Sequence, residues 1–183
     1  SENTLVHRHK MGQEATGHEF WSYDGKTVYS DLHRPWGTVI ALASYNVETG
    51  DRTWFNLTLA EWSIHYNATR DNTLFCGDGS DNPPAWWASA VNKWIFLFRP
   101  ERINDATADE RIYGPGARAL TPPEKNLVHP GILHSERLVN LAKHDYRLEP
   151  NPIFSPDNKL IFFRSNILGP TYVFAVEVAK ATL

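Results

Sequence analysis

Of the eight histidines in this chain, His18 and His65 stand at comparable places, each at the head of a similar aromatic segment, and Glu149 with Asn151 stands near the corresponding place of a third segment. Histidine, glutamate and asparagine brought to one point have two uses: they bind a divalent cation, or the imidazole acts as a general base. A polar residue satisfied at a strand start explains any one of these positions alone. Recurrence of histidine in register favours a site. Glu149, inside Arg147-Leu-Glu-Pro-Asn-Pro152, reads equally well as a surface-loop carboxylate. His7, His9 and Lys10 make either a basic lip or an exposed segment, and His129, His134 and His144 are expected in loops at spacings unlike a metal motif. There is no glycine-rich phosphate loop, no Gly-x-Ser-x-Gly elbow and no zinc-type cysteine cluster.

The elements that must carry these residues follow from a phrase that occurs three times. His18-Glu-Phe-Trp-Ser-Tyr-Asp-Gly-Lys-Thr-Val-Tyr29, Ile64-His-Tyr-Asn-Ala-Thr-Arg-Asp-Asn-Thr-Leu-Phe75 and Pro152-Ile-Phe-Ser-Pro-Asp-Asn-Lys-Leu-Ile-Phe162 each pair an aromatic strand with an Asp-Gly or Asp-Asn turn and a second apolar strand. This is a repeated β-hairpin. Further apolar runs follow each hairpin: Val39 to Tyr45 and Arg52 to Leu57, then Trp94 to Phe98 and Arg137 to Leu141, then Thr171 to Val178. Four strands in each of the first two units and three in the third, with turn aspartates Asp24 and Asp71 one interval of roughly 40 to 50 residues apart, follow the pattern of β-propeller blades.

The fold expected is therefore all-β, a propeller with WD40- or TolB-like blades, of which about three to four are present as part of a seven-bladed ring. The whole of 1–183 is read as one portion of a single domain, with units at 14–58, 59–142 and 143–183. A long insertion at 77–133, rich in Pro, Gly, Asn, Asp and Ala, is expected to form surface loops beside a cleft. An open array leaves blade faces wet, so remaining N-terminal blades are expected and residues 1–16 are read as the tail of a preceding one. The first strand of each blade lines the central channel. His18, His65 and the Glu149/Asn151 pair then converge on one mouth.

Composition narrows the function classes. A net charge of −3 supplies no basic field for nucleic acid or an anionic membrane. No run of eighteen apolar residues and no signal-peptide pattern is present, so no membrane partner is expected. A single cysteine, Cys76, excludes an intrachain disulfide and is neutral between a cytoplasmic protein and a periplasmic or secreted one, the first two being expected; it is read as a small buried hydrophobe. Asn56-Leu-Thr and Asn67-Ala-Thr fit the glycosylation triplet, which arises readily by chance. Seven Trp and seven Tyr suit blade packing or stacking against a flat ligand such as a sugar ring.

Thr16-Gly-His-Glu-Phe-Trp-Ser-Tyr-Asp-Gly25, Phe75-Cys-Gly-Asp-Gly-Ser-Asp81 and Phe154-Ser-Pro-Asp-Asn-Lys159 together resemble the C-terminal half of oligogalacturonate lyases, with similarity running from about His9 to Val178. The resemblance implies a metal-dependent β-elimination on short uronate-containing oligosaccharides, manganese being the family's usual ion. It implies His18 as catalytic base and His65 as metal ligand. The family's Gln-x-x-His-x-His-Pro ligand motif is here Tyr146-Arg-Leu-Glu149-Pro-Asn151-Pro152, so Glu149 and Asn151 are the remaining candidate metal ligands and calcium or magnesium joins manganese as a candidate ion. Candidate substrate contacts are Tyr146, Arg147 and Trp21. The family's catalytic arginine belongs to a blade preceding this chain. Two rival readings stay open, a non-catalytic propeller of the same ancestry binding carbohydrate or protein, and a lyase for another uronate polymer.

Overall fold

The structure, a computed structural model, describes Leu5 and residues 15–34, 39–58, 60–80, 93–103 and 128–179. Eleven strands make up its regular structure: β1 (Ala15–Trp21), β2 (Thr27–Arg34), β3 (Val39–Asn46), β4 (Arg52–Leu57), β5 (Tyr66–Ala68), β6 (Phe75–Gly77), β7 (Trp94–Arg102), β8 (His129–Asn140), β9 (Ile153–Phe154), β10 (Leu160–Ser165) and β11 (Tyr172–Glu177). There is no helix among the described residues, and so none that is long and apolar enough to cross a membrane.

The three expected hairpins form, and one side-chain device closes each. Ser22 Oγ donates to Asp24 Oδ1 at 2.6 Å and accepts from the Thr27 N–H at 2.9 Å. Thr69 with Asp71 and Leu74, and Ser155 with Asp157 and Leu160, repeat it. These hydroxyl bonds hold all three aspartate carboxyls below the usual carboxylate range. The residue after each aspartate takes the left-handed φ that the turn requires: Gly25 at 69°, Asn72 at 57° and Asn158 at 61°. Glycine, and asparagine among the other residues, enter that region at least cost.

Units one and two are antiparallel meanders, and β4 pairs with β8 in parallel to merge them into one eight-stranded sheet in the order β1-β2-β3-β4-β8-β7-β6-β5. The apolar runs did not reveal this pairing, because the β7–β8 hairpin extends further at its far end than they suggested. Residues 129–133, assigned to the loop insertion, are strand, and His129 and His134 lie on β8 rather than in loops. Phe55 of β4 lies opposite Gly131 of β8, where a Cβ would come within 2.6 Å of the Phe55 ring. The missing side chain lets the two strands meet. The stretches 81–92 and 104–127 of the expected insertion, and His7, His9 and Lys10, lie outside the described residues.

The third unit is a separate sheet, β11-β10-β9. Unit two lies between the other two, and alternation along β7 shows it: Phe96 and Phe98 cluster with Tyr29, Leu42 and Phe55 of unit one, while Ile95 and Leu97 cluster with Phe154, Ile161 and Phe163 of unit three. A strand buried on both faces loses its polar alternation. Burying each such large side chain contributes about 1.5–3 kcal/mol. Strand β10, buried on one face only, keeps the alternation, with Ile161, Phe163 and Ser165 inside and Phe162 and Arg164 outside.

Candidate functional site

The first strands of the three units lie side by side, β1 against β5 and β5 against β9. One contact sets the spacing between the last two. The Asn67 side-chain oxygen of β5 accepts the Phe154 N–H of β9 at 3.1 Å. The starts of these strands surround an open cleft of about 470 Å³ lined by His18, Glu19, Phe20, His65, Tyr66, Asn67, Asn151, Pro152 and Ile153. Both histidines and Asn151 thus share one mouth, as the register of the repeat required.

His18 reaches the cleft through an irregularity in β1. Pairing with β2 shifts between Gly17 and Phe20, and His18 within the bulge has a φ of 50°, a conformation uncommon outside glycine and associated with functional positions. Its ring meets the His65 ring edge-on, with centroids 5.1 Å apart. Its Nδ1 lies 3.9 Å from Oδ2 of buried Asp31, which also pairs with His33 Nε2 at 3.0 Å.

His65, just before β5, is held by Asp78, just after β6. The His65 backbone N–H donates to Asp78 Oδ1 at 2.9 Å, and His65 Nδ1 meets Oδ2 at 2.8 Å. The Asp78 side chain is fully buried, so its charge depends on these donors and on the Asn151 N–H, 3.4 Å from Oδ2. The surrounding corner is tied by the Gly79 N–H to Ser63 Oγ, the Ile64 N–H to Gly79 carbonyl and the Ser63 N–H to Tyr66 hydroxyl. With Nδ1 on Asp78, Nε2 faces the Glu149 carboxylate at 3.7 Å. Burial works against protonation of His65, but the bond to Asp78 and the charges of Asp78 and Glu149 outweigh it and raise its pKa above the ordinary 6.5.

The other candidates separate into those at the mouth and those away from it. Asn151, at a left-handed φ of 49°, donates its side-chain Nδ2 to the Glu149 carbonyl. Tyr146 is buried beneath the site and donates its hydroxyl to the Asp78 carbonyl at 2.6 Å, so it supports Asp78 rather than lining the cleft. Arg147 is exposed and bonded through Nε and Nη2 to Asp145. Trp21, at the exposed end of β1, is not among the cleft-lining residues. His144, expected in a loop, is buried in the turn after β8 between Ser165 Oγ and the Leu148 carbonyl.

Asp31, Asp78 and Arg164 were not singled out from the sequence. Asp31 follows Tyr29 and precedes His33 at every second position of an apolar strand, which marks a carboxylate on an inward face. Asp78 is flanked by two glycines in a phrase already distinctive. Arg164 had no comparable signal; its Nε donates to the Glu149 carbonyl at 2.7 Å, which steadies that loop.

No protein-family model matches the chain, and no curated protein matches it in sequence. Solved structures do match in fold. An oligogalacturonate lyase in complex with manganese superposes with a TM-score of 0.63 at 19% identity, over 97% of this chain and 39% of its own. An oligogalacturonate lyase from Vibrio parahaemolyticus gives 0.66 at 17%, over 100% and 40%. TolB from Acinetobacter baumannii gives 0.51 at 11%, over 92% and 31%. The chain spans about two fifths of the length of the two lyases. At these identities the likeness shows the fold, that of a β-propeller.

The manganese neighbour makes a metal the natural question. Among the described residues no three His, Cys, Asp or Glu side chains stand close enough to share an ion. One imidazole nitrogen, His65 Nε2, and one carboxylate, Glu149, face each other with the Asn151 amide beside them. One nitrogen, one carboxylate and one amide are fewer donors than a closed protein cage supplies.

Proposed function

We propose that this chain carries the active centre of a polysaccharide lyase that cleaves short uronate-containing oligosaccharides by β-elimination. The observation that carries the reading is the pair of edge-on imidazoles, His18 and His65, opening on one cleft with a buried carboxylate behind each. Fold likeness to two oligogalacturonate lyases supports it.

In this reading His18 takes the proton α to the uronate carboxylate. The C–H bond breaks and an N–H bond forms at Nε2, while the electron pair forms the new C=C bond and breaks the C–O bond to the β-oxygen, which leaves with a proton taken from water. Charge building on the carboxylate needs a positive partner. His65 offers one when protonated; when neutral, its Nε2 with Glu149 and Asn151 would hold a divalent cation, which supplies that charge when bound. Asp78 keeps His65 aimed into the cleft in either state. Arg147, already paired with Asp145, is left out of this scheme. In this reading further blades would pack against the outer face of the third sheet, and the exposure of Ile153, Phe162 and Val173 there supports it.

The test is the ultraviolet absorbance of the unsaturated product from a panel of oligouronates, with and without divalent cations. Turnover that His18→Ala abolishes is the expected result. Turnover retained in that variant removes His18 as base. Tight calorimetric binding of oligouronates without product would make the chain a binding propeller instead.

A further inference from the structure

We propose that Asp31 is the positioning residue for His18, holding its ring in the tautomer that leaves Nε2 bare toward the cleft; the inference rests on the assignment of His18 as base. Asp31 lies on β2, only 4% exposed, on the face it shares with Tyr29 and His33. Its Oδ2 is 3.0 Å from His33 Nε2 and 3.9 Å from His18 Nδ1, while Oδ1 is buried without a hydrogen-bond partner. A buried carboxylate left short of donors is costly, and an apolar residue would pack this strand position without that cost.

The neighbouring strand is shaped around the carboxylate. Gly17 lies opposite Asp31 in the β1–β2 register, and a Cβ there would come within 3.3 Å of Oδ1. The bulge begins at the same glycine, and within it His18 has its Nδ1 3.9 Å from the Asp31 carboxylate. On the far side His33 fixes Oδ2 while its own ring meets Trp62 edge-on at 5.6 Å. The carboxylate is thus anchored by one histidine and faces a second across a gap that a small ring movement closes into a hydrogen bond. A proton on Nδ1 facing Asp31 leaves the Nε2 lone pair for the substrate proton, and the carboxylate balances the imidazolium that results. Asp31 thereby orients the ring, as the carboxylate of a catalytic triad does.

Two measurements on the purified chain test this. Long-range proton–nitrogen correlation of the imidazoles, at a pH where His18 is neutral, should show His18 as the Nδ1–H tautomer in the wild type and shifted toward Nε2–H in Asp31→Asn. The same near-isosteric variant should lower kcat by about 100-fold or more with KM changed less than about threefold. A wild-type His18 already in the Nε2–H tautomer overturns the inference even should the variant fail to fold. So does an Asp31→Asn variant with unchanged tautomer or unchanged kcat. A wild type that forms no unsaturated product from any oligouronate overturns the lyase reading instead, and the tautomer alone then decides the role of Asp31.

Discussion

Replacing Asp78 by asparagine should unlock His65 and cost stability together. The carboxylate takes two N–H bonds from His65, at 2.9 and 2.8 Å, and a longer one from Asn151 at 3.4 Å. An asparagine in the same place turns one acceptor into a donor, so in either amide orientation a buried N–H meets another. Each hydrogen bond to a charged group is worth about 1.5–3 kcal/mol, and with one lost and a donor left opposed the expected cost is about 2–4 kcal/mol. Urea unfolding reads that loss as a lower midpoint.

The more diagnostic readout is the titration of His65 by NMR. Burial lowers its pKa, Asp78 and Glu149 raise it, Arg164 lowers it, and the net effect in the wild type is a rise above 6.5. Without the Asp78 charge, Glu149 alone opposes burial and Arg164, so the pKa should fall to or below the ordinary value. The sign of the pH dependence follows. Because the folded pKa is raised, the stability that His65 contributes is fully present below about 6.5 and fades as pH rises through the folded value. In Asp78→Asn that fading should vanish or reverse. A variant in which His65 titrates where it does in the wild type, or unfolds at the same urea concentration, refutes the assignment of Asp78 as the residue that holds it.

Two further expectations concern neighbours of this unit. Gly77→Ala puts a Cβ 2.3 Å from Ser63 Oγ and 2.7 Å from Ser63 Cβ, which should cost about 1–3 kcal/mol of overpacking and lower the melting temperature by about 2–4 °C per kcal/mol; an unchanged melting temperature contradicts the packing described. Arg147→Ala should leave oligouronate turnover and KM unchanged, because the guanidinium is bonded to Asp145 and Arg147 is not among the cleft-lining residues; a large rise in KM would return Arg147 to the site.

Much of the fold was legible because its local chemistry repeats. A hydroxyl residue, an aspartate two positions on and a glycine or asparagine after it recur at Ser22, Thr69 and Ser155 with the same hydrogen bonds. Such a turn is encoded within six residues, so its three copies could be aligned and the histidines read in register. The parallel β4–β8 pairing was not legible, since it depends on Phe55 meeting Gly131 far along the chain. The supporting carboxylates fell between these cases. Asp31 shows in the period-two pattern of β2, while the role of Asp78 appears only when β6 is laid beside the turn that carries His65.

The two histidines stand at matching places but are not held alike, and the difference fits two different tasks. His65 is fixed at its backbone N–H and at Nδ1 by one fully buried carboxylate, and its half-buried ring has little freedom to turn. That suits a group that must present charge, or a lone pair, at one fixed point. His18 sits on a bulge at a left-handed φ, its side chain 45% exposed and its Nδ1 3.9 Å from Asp31. A gap of that size leaves the ring room to move when it takes a proton and the attraction of the carboxylate grows. The cleft thus sets a fixed imidazole beside a movable one, and in the proposed lyase reading the first would hold the substrate still while the second carries its proton away.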